Sequence, residues 1–196
     1  PLHALPEDIA KYRGKYMGGW DGLRKERHER MIKMGIVSKD WPMTPRDKKV
    51  SAWDEVDDEK KKDMDLRMAV YAAMVDRMDQ ELGRLFDYLK KHDLYNNTVI
   101  IFTNDNGASA EGKLTIQPPG RKLGERGTRS RLNDVGAAVC NVPLRKYKST
   151  LLEGGMCTPM IFHWPDGIGR PGSHCDQVGH VYDIMPTILD ITGHNY

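Results

Sequence analysis

The most regular hydrophobic pattern in the chain is an apolar stripe between residues 64 and 89. Its members are spaced alternately four and three residues apart, which places them on one face of a helix of about seven turns. Further apolar positions such as Ala72, Met74 and Phe86 broaden the stripe beyond the narrow seam of a coiled coil. The pattern therefore predicts one long helix that packs on a sheet. The stripe consists of Met64, Met68, Tyr71, Val75, Met78, Leu82, Leu85 and Leu89.

Two short uncharged runs predict strands. Residues 98–103 follow the long helix after a polar turn, and they are mainly β-branched or aromatic, a pattern typical of a strand covered on both faces. Residues 160–164 form a second run, which ends at the turn Pro165-Asp166-Gly167. A helix followed by a turn and a strand is half of an α/β unit, so the sequence predicts the α/β class.

Two further helices are predicted towards the ends of the chain. One covers residues 23–34, with Asp21 as its N-cap and Gly35 as its C-cap. The other covers residues 183–193, where a glycine ends it. Its expected buried side consists of Ile184, Ile188 and Ile191.

Composition restricts the class of protein. The chain of 196 residues is 39% hydrophobic and 30% charged, which is enough apolar material for one globular domain. A formal net charge of +2 gives no reason to expect nucleic acid as a partner. No apolar run approaches the roughly 20 residues of a membrane span. Cys140, Cys157 and Cys175 lack the spacing of a zinc site or a disulfide framework, and we expect buried or half-buried thiols.

The first predicted strand ends beside two oxygen-bearing side chains, in the sequence Asp105-Asn106-Gly107. In open α/β sheets, ligands bind at the carboxyl ends of strands. A carboxylate next to an amide carbonyl suits a hard cation such as Ca²⁺ or Mg²⁺. A strand followed by an Asn-Gly turn is equally typical, and glycine allows a sharp turn there. These residues alone leave both interpretations open.

A long polar stretch at residues 111–132 is rich in basic side chains. Such a loop is usually functional or mobile. The positive charges could draw an anionic substrate towards the strand end, or they could only solvate the surface, and the sequence does not distinguish the two. The basic residues are Lys113, Arg121, Lys122, Arg126, Arg129 and Arg131.

An ordered set of short motifs extends over nearly the whole chain. Its first members are Ile9-x-x-Tyr12-x-Gly14-Lys15-Tyr16, Gly19-Trp20-Asp21 and Tyr71-x-Ala73-Met74-Val75-x-x-Met78-Asp79. After Asp105-Asn106-Gly107 come Pro143-Leu144-Arg145-x-Tyr147-Lys148, Glu153-Gly154-Gly155-x-x-Thr158-Pro159, His163-Trp164-Pro165 and Asp183-Ile184-Met185-Pro186-Thr187. In this set the chain resembles the type I, formylglycine-dependent sulfatases, which are relatives of alkaline phosphatase.

The resemblance implies a fold and three site residues. The fold would be part of an alkaline-phosphatase-like α/β domain, with a mixed, mostly parallel sheet flanked by helices. Asp105 and Asn106 match family residues that hold a divalent cation, usually Ca²⁺. Lys148 matches the lysine that contacts the sulfate group of the substrate, which gives it a catalytic and a substrate-binding role.

Several parts of the family pattern are missing from residues 1–196. The family attacks sulfur with a formylglycine made from Cys/Ser-x-Pro-x-Arg, and this chain does not encode that motif. Cys157-Thr158-Pro159 lacks the arginine, so Cys157 is not the expected nucleophile. The family's first pair of metal-binding aspartates and its C-terminal subdomain are also missing. We therefore expect a partial catalytic domain, inactive without the remaining part of the sulfatase domain.

The expected function is metal-dependent hydrolysis of a sulfate ester, either an aryl sulfate or a sulfated glycan. One alternative is a phosphodiester or phosphonate monoester hydrolase of the same superfamily. The other is a non-catalytic homologue that binds sulfated glycans. The family's bacterial members also imply a periplasmic or secreted location.

Overall fold

The computed structural model of the chain describes residues 2–110, 115–116 and 118–195. The described part contains six α-helices, four strands and two short 3₁₀ turns, at Trp53–Glu55 and Val181–Asp183. Among these residues, none of the helices combines the length and the apolar character needed for a transmembrane span. In chain order the elements are α1 (Pro6–Ala10), α2 (Trp20–Lys33), α3 (Asp58–Lys91), β1 (Ile100–Thr103), β2 (Thr115–Ile116), β3 (Arg129–Ser130), α4 (Asn133–Cys140), α5 (Glu153–Met156), β4 (Met160–His163) and α6 (Ile184–Ile191).

Helix α3 confirms the prediction of one long helix. It has 34 residues, and its N-cap Asp57 accepts a hydrogen bond of 2.8 Å from the backbone N–H of Lys60. Its N-terminal half packs against helix α1 and the segments around Leu2 and Leu132, centred on the fully buried Val70. The predicted packing on a sheet is therefore wrong for this half.

The predicted stripe on α3 is buried only in part. Met64, Met68 and Tyr71 are half-buried, whereas Val75 and Leu85 are 43% and 50% exposed. The small residues Ala69 and Ala73 are fully buried instead, because neighbouring segments approach the helix most closely there. Periodicity identifies the apolar face, but how much of that face is covered depends on what the rest of the fold places against it.

Strands β1 and β4 form an antiparallel pair in which Ile100 lies opposite His163 and Thr103 lies opposite Met160. The described residues contain both helices and strands, but this pair is antiparallel and does not show the predicted mostly parallel sheet. The predicted cover on both faces of β1 is wrong within the described structure, because Phe102 is 37% exposed and Ile161 on β4 is 62% exposed. Each strand has a single neighbour among the described residues, so their apolar side chains lack the second layer that a buried sheet has.

The two smaller helix predictions are partly correct. Helix α2 begins at Trp20, so the predicted N-cap Asp21 lies inside its first turn. Gly35 follows the helix with a φ of 72°, as expected after a helix C-terminus. Helix α6 ends before Gly193 as predicted, but none of its residues is buried and Ile188 is 39% exposed.

Two buried carboxylates fix the N-terminal segment to α3. Asp8, only 1% exposed, accepts hydrogen bonds from Lys11 at 2.8 Å and from Arg77 at 2.7–2.9 Å. Asp65, 3% exposed, accepts a bond of 2.7 Å from Arg13 and bonds from two backbone N–H groups of the same segment. Charged groups are found in a folded interior almost only where they are paired and hydrogen-bonded in this way.

Replacing Asp8 with asparagine is expected to make stability less dependent on acid pH. The hydrogen bond from Lys11, followed by that from Arg77, lowers the pKa of Asp8 below its usual value, against the opposing effect of burial. A lowered carboxyl pKa stabilises the fold above the unfolded-state value of about 3.9, and the contribution is lost as the pH falls through the folded-state value. Asp8→Asn should therefore lower the thermal midpoint at neutral pH and flatten its decline in acid.

The measurement is thermal unfolding of the protein across the acid range. Asp87→Asn, at an exposed position on α3, is the matched control and should behave as the wild type. A parallel acid decline in Asp8→Asn and wild type would show that Asp8 does not carry this linkage.

Candidate functional site

The segment after β1 is held against the segment that leads into β4. The Thr103 hydroxyl donates to the carbonyl of Pro159 at 3.2 Å, and the Thr158 hydroxyl donates to the carbonyl of Asn104 at 2.9 Å. The N–H of Gly107 then donates to the carbonyl of Gly155 at 3.0 Å. The end of the strand is thereby fixed in register with the Glu-Gly-Gly motif.

Gly107 is required for close approach rather than for its backbone angles. It is buried and does not adopt a left-handed φ, so the predicted reason for this glycine is wrong. A Cβ at Gly107 would collide with the carbonyl oxygen of Gly154. The Glu-Gly-Gly motif forms the short helix α5, and a Cβ on Gly154 or Gly155 would likewise collide with backbone carbonyls.

Asp105 and Asn106 supply adjacent oxygen atoms at the end of β1. The carboxylate of Asp105 is exposed and has no hydrogen bond or ion pair among the residues that the structure describes. The Asn106 amide nitrogen donates to the carbonyl of Gly107 at 2.8 Å, which leaves the amide oxygen on the opposite side of the group. This donor set fits two of the six to eight oxygen ligands of Ca²⁺. Within the described ranges, no three His, Cys, Asp or Glu residues cluster as a further metal site.

Lys148 lies on a segment that contacts the Asp-Asn-Gly segment directly. Its backbone N–H donates to the carbonyl of Ala108 at 3.0 Å, and its side chain is half-buried. The structure therefore brings together the two segments that carry the predicted site residues, although they are more than 40 positions apart in the sequence. The roles of Asp105, Asn106 and Lys148 stay predictions at this point.

Asn141 is a residue at this site that the sequence reasoning missed. Its amide oxygen accepts from the N–H of Ala108 at 3.0 Å, and its amide nitrogen donates to the carbonyls of Lys146 at 3.0 Å and Gly154 at 2.6 Å. The only sequence signal is its position as the first polar residue after the apolar end of α4. That signal indicates a helix end and does not identify these contacts.

Lys146, a basic neighbour of Lys148, has a structural partner. The ammonium group of Lys146 pairs with Asp47 at 2.5 Å and is the main reason that the pKa of Asp47 lies below its usual value. Arg145 is exposed on one wall of an open cleft of about 370 Å³. The cleft offers apolar contact surface, including the half-exposed ring of Trp41, beside the segment that carries Lys148.

The three cysteines form no disulfide with one another, and their exposure does not agree with the prediction in every case. Cys140 is half-buried as expected, whereas Cys157 and Cys175 are exposed. Desolvation, and then the carboxylate of Glu153, raises the pKa of the Cys157 thiol. A protonated thiol is a poor nucleophile, so this environment agrees with excluding Cys157 as the attacking group.

The basic stretch at 111–132 is described only in part, and Lys113 lies outside the described residues. Its later section packs over the N-terminus, where Leu2 donates to the carbonyl of Ser130 at 2.9 Å and Ala4 donates to that of Gly124 at 3.0 Å. The charged side chains of Arg121, Lys122, Arg126 and Arg131 are exposed. Attraction of an anionic substrate and plain solvation both remain open.

Comparisons with known proteins give consistent matches. The chain matches the sequence model of the family named Sulfatase over residues 3–194. It is 35% identical to a sulfatase of Schizosaccharomyces pombe over 97% of this chain and 37% of that protein. It is 31% identical to an arylsulfatase of Klebsiella aerogenes over 98% of this chain and 44% of that protein. A mouse N-acetylgalactosamine-6-sulfatase is 30% identical over 63% of this chain and 19% of that protein. The chain thus spans less than half the length of the relatives it matches.

Proposed function

The chain belongs to the sulfatase family, as its motifs predicted, and on that premise we propose that the complete protein hydrolyses sulfate esters with the help of a divalent cation. The observation that carries the proposal is the junction of two segments. The hydrogen bonds Gly107 to Gly155 and Lys148 to Ala108 hold the segment of Asp105 and Asn106 against the segment that carries Lys148, which supports a shared site. A cation and an ammonium group together suit a substrate whose charge lies on several oxygens.

The residues have distinct proposed roles. Asp105 and Asn106 are ligands of one Ca²⁺ ion, which when bound draws electron density from the sulfate oxygens. The ammonium group of Lys148 binds the non-bridging oxygens and stabilises the charge that develops on them in the transition state. The backbone of Lys148 is fixed to Ala108, so the point from which its side chain extends is set before the substrate arrives.

The nucleophile must come from outside the residues that we describe. We propose a formylglycine in the remaining part of the sulfatase domain. Cys157 is not part of a Cys-x-Pro-x-Arg motif, and the pKa of its thiol is raised, which disfavours the reactive thiolate. The exposed apolar faces of β1 and β4, including Phe102 and Ile161, support an alkaline-phosphatase-like domain in which further elements of a mostly parallel sheet cover them. The chain alone is then expected to show no turnover.

The proposed substrate class is an organic sulfate ester, an aryl sulfate or a sulfated glycan. The names of the relatives include an arylsulfatase, an N-acetylgalactosamine-6-sulfatase and a steryl-sulfatase, so the family accommodates different organic groups. The family resemblance also supports a periplasmic or secreted location.

The complete protein should release sulfate from an aryl sulfate ester, lose that activity after chelation, and regain it with Ca²⁺. The matching aryl phosphodiester and a sulfated glycan are tested in parallel. Faster hydrolysis of the phosphodiester would favour the phosphodiester or phosphonate hydrolase. Binding of the glycan with no turnover of any ester would favour the non-catalytic homologue.

A further inference from the structure

We propose that Asn141 is a positioning residue that couples calcium binding at Asp105 and Asn106 to the placement of Lys148. This inference rests on the proposed function. Asn141 is the C-cap residue of α4, and its backbone N–H donates to the carbonyl of Ala137 at 3.1 Å. Because Ala137 is fully buried, the Asn141 backbone is anchored to the core of the molecule.

The side chain of Asn141 uses an acceptor and two donors at once. The amide oxygen accepts from Ala108, just after the metal-binding segment, while the amide nitrogen donates to Lys146 and Gly154 on the lysine-bearing segment. Alanine or leucine at this position would make none of these bonds. A carboxylate would retain only the acceptor.

The backbone of Gly107 lies close to this amide. An ideal Cβ on Gly107 would lie 3.0 Å from the amide nitrogen of Asn141 and would collide with the carbonyl oxygen of Gly154. The same carbonyl oxygen accepts the 2.6 Å bond from Asn141. Close contacts among Gly107, Gly154 and Asn141 therefore lie where the two segments meet.

Ala108 connects the amide to both halves of the site. Its N–H donates to Asn141, and its carbonyl accepts from the N–H of Lys148 at 3.0 Å. It also follows Asn106 and Gly107 directly in the chain. A shift of Ala108 would therefore move the cation ligands and the lysine together, which distinguishes a coupling role from general support of the fold.

The first experiment compares Asn141→Ala with Asn133→Ala in the complete protein. Asn133 lies at the opposite end of α4, where its side-chain oxygen accepts from Val135 and Gly136 at 3.1 and 3.3 Å. Asn133→Ala should lower the thermal midpoint and leave the contacts around Ala108 and Lys148 unchanged. Asn141→Ala should weaken calcium binding by about tenfold or more in calorimetry, the usual effect of removing a hydrogen bond behind a metal ligand.

Hydrogen exchange provides a readout that needs neither metal nor substrate. In Asn141→Ala, the amides of Ala108 and Lys148 should exchange faster by about tenfold, because the bonds that protect them are broken or loosened. At saturating calcium, kcat should also fall while KM changes less. In Asn133→Ala, calcium affinity, the exchange of these two amides and kcat should stay within about twofold of the wild type, because their bonds are intact.

Asn141→Asp tests the direction of the hydrogen bonds. At neutral pH its carboxylate would face two carbonyl oxygens, whereas the protonated form can donate to one of them. The two carbonyl oxygens disfavour the charged form and should raise the pKa of the introduced carboxyl well above the usual value of about 3.9. The loss of activity and calcium affinity relative to the wild type should therefore be larger at about pH 8 than at about pH 5. The activity and calcium affinity of the variant are divided by the wild-type values at the same pH, which corrects for pH effects that both proteins share through the charged residues of the two segments. These are Asp105, Arg145, Lys146, Lys148 and Glu153.

Three results would overturn the coupling role. One is a folded Asn141→Ala with calcium affinity and Ala108 exchange like those of the wild type. Another is an equal loss of calcium affinity in Asn133→Ala, which would indicate general stability. If Asn141→Ala does not fold, a pH-independent deficit in Asn141→Asp decides against the proposal. If the wild-type protein hydrolyses no sulfate ester, the proposed function is wrong. The structural role of Asn141 can still be tested in that case, because hydrogen exchange at Ala108 and Lys148 requires no substrate.

Discussion

Asp105→Ala in the complete protein is expected to abolish tight calcium binding and, with it, hydrolysis of sulfate esters. The carboxylate is the only charged group of the pair, and charge attracts a divalent cation much more strongly than an amide dipole does. Bound metal supplies several kcal/mol of stabilisation to developing charge. Its loss therefore corresponds to a decrease in kcat of at least about a hundredfold.

The fold should survive this substitution. Asp105 is exposed, and its side chain bonds to none of the residues that the structure describes, so its removal leaves no buried group without a partner. Asp166→Ala is the matched control. Asp166 follows β4 near the opposite end of the β1–β4 pair, because β1 begins opposite His163 and ends opposite Met160. The measurement is the calcium affinity of wild type, Asp105→Ala and Asp166→Ala by calorimetry. An unchanged affinity in Asp105→Ala would show that Asp105 is not a calcium ligand.

Local composition was sufficient to locate the main elements. The uncharged run at 98–103 contains β1, and the run at 160–164 contains β4, since short runs of β-branched and aromatic side chains favour extended backbone. The apolar stripe at 64–89 located most of α3 in the same way. These features depend on residues within a few positions of one another, so a single sequence is enough to recognise them.

Burial could not be predicted with the same success, because it depends on other parts of the fold. Val75 and Ala73 are both apolar residues of α3, yet Ala73 is fully buried and Val75 is 43% exposed. Which of the two is covered is decided by the approach of α1 and the chain around Leu132, distant in sequence. Phe102 on β1 is another example, because it is an aromatic residue of a predicted buried strand and is 37% exposed.

The candidate site combines residues that sequence can identify with contacts that it cannot. Asp105, Asn106 and Lys148 belong to motifs with a defined order, so a resemblance was enough to select them. Asn141 makes its decisive bonds to Ala108 and Gly154, which are 33 and 13 positions away, and no periodicity marks it. Gly107 was identified correctly as special but for the wrong reason, because a collision with Gly154 is visible only once the segments are brought together.

Lys148→Ala is expected to reduce activity strongly without unfolding the protein. The bond from Lys148 to Ala108 is made by the backbone N–H, so truncation of the side chain leaves that bond in place. The substitution removes the positive charge that we propose binds the sulfate oxygens, and the loss of one such group typically lowers kcat about a hundredfold to a thousandfold. Inhibition by inorganic sulfate should weaken as well, since the same charge binds the free ion.

Lys146→Ala is the control for Lys148→Ala, because it removes the same charge two positions away. The ammonium group of Lys146 is paired with Asp47 at 2.5 Å, so its loss should lower the thermal midpoint and change kcat by no more than about threefold. The measurements are kcat, KM, inhibition by sulfate and thermal unfolding for both variants. Full activity in Lys148→Ala would show that another cation binds the sulfate group. An equal decrease in kcat in Lys146→Ala and Lys148→Ala would show that the effect comes from the net charge of the segment. A much larger decrease in Lys148→Ala would assign the role to Lys148.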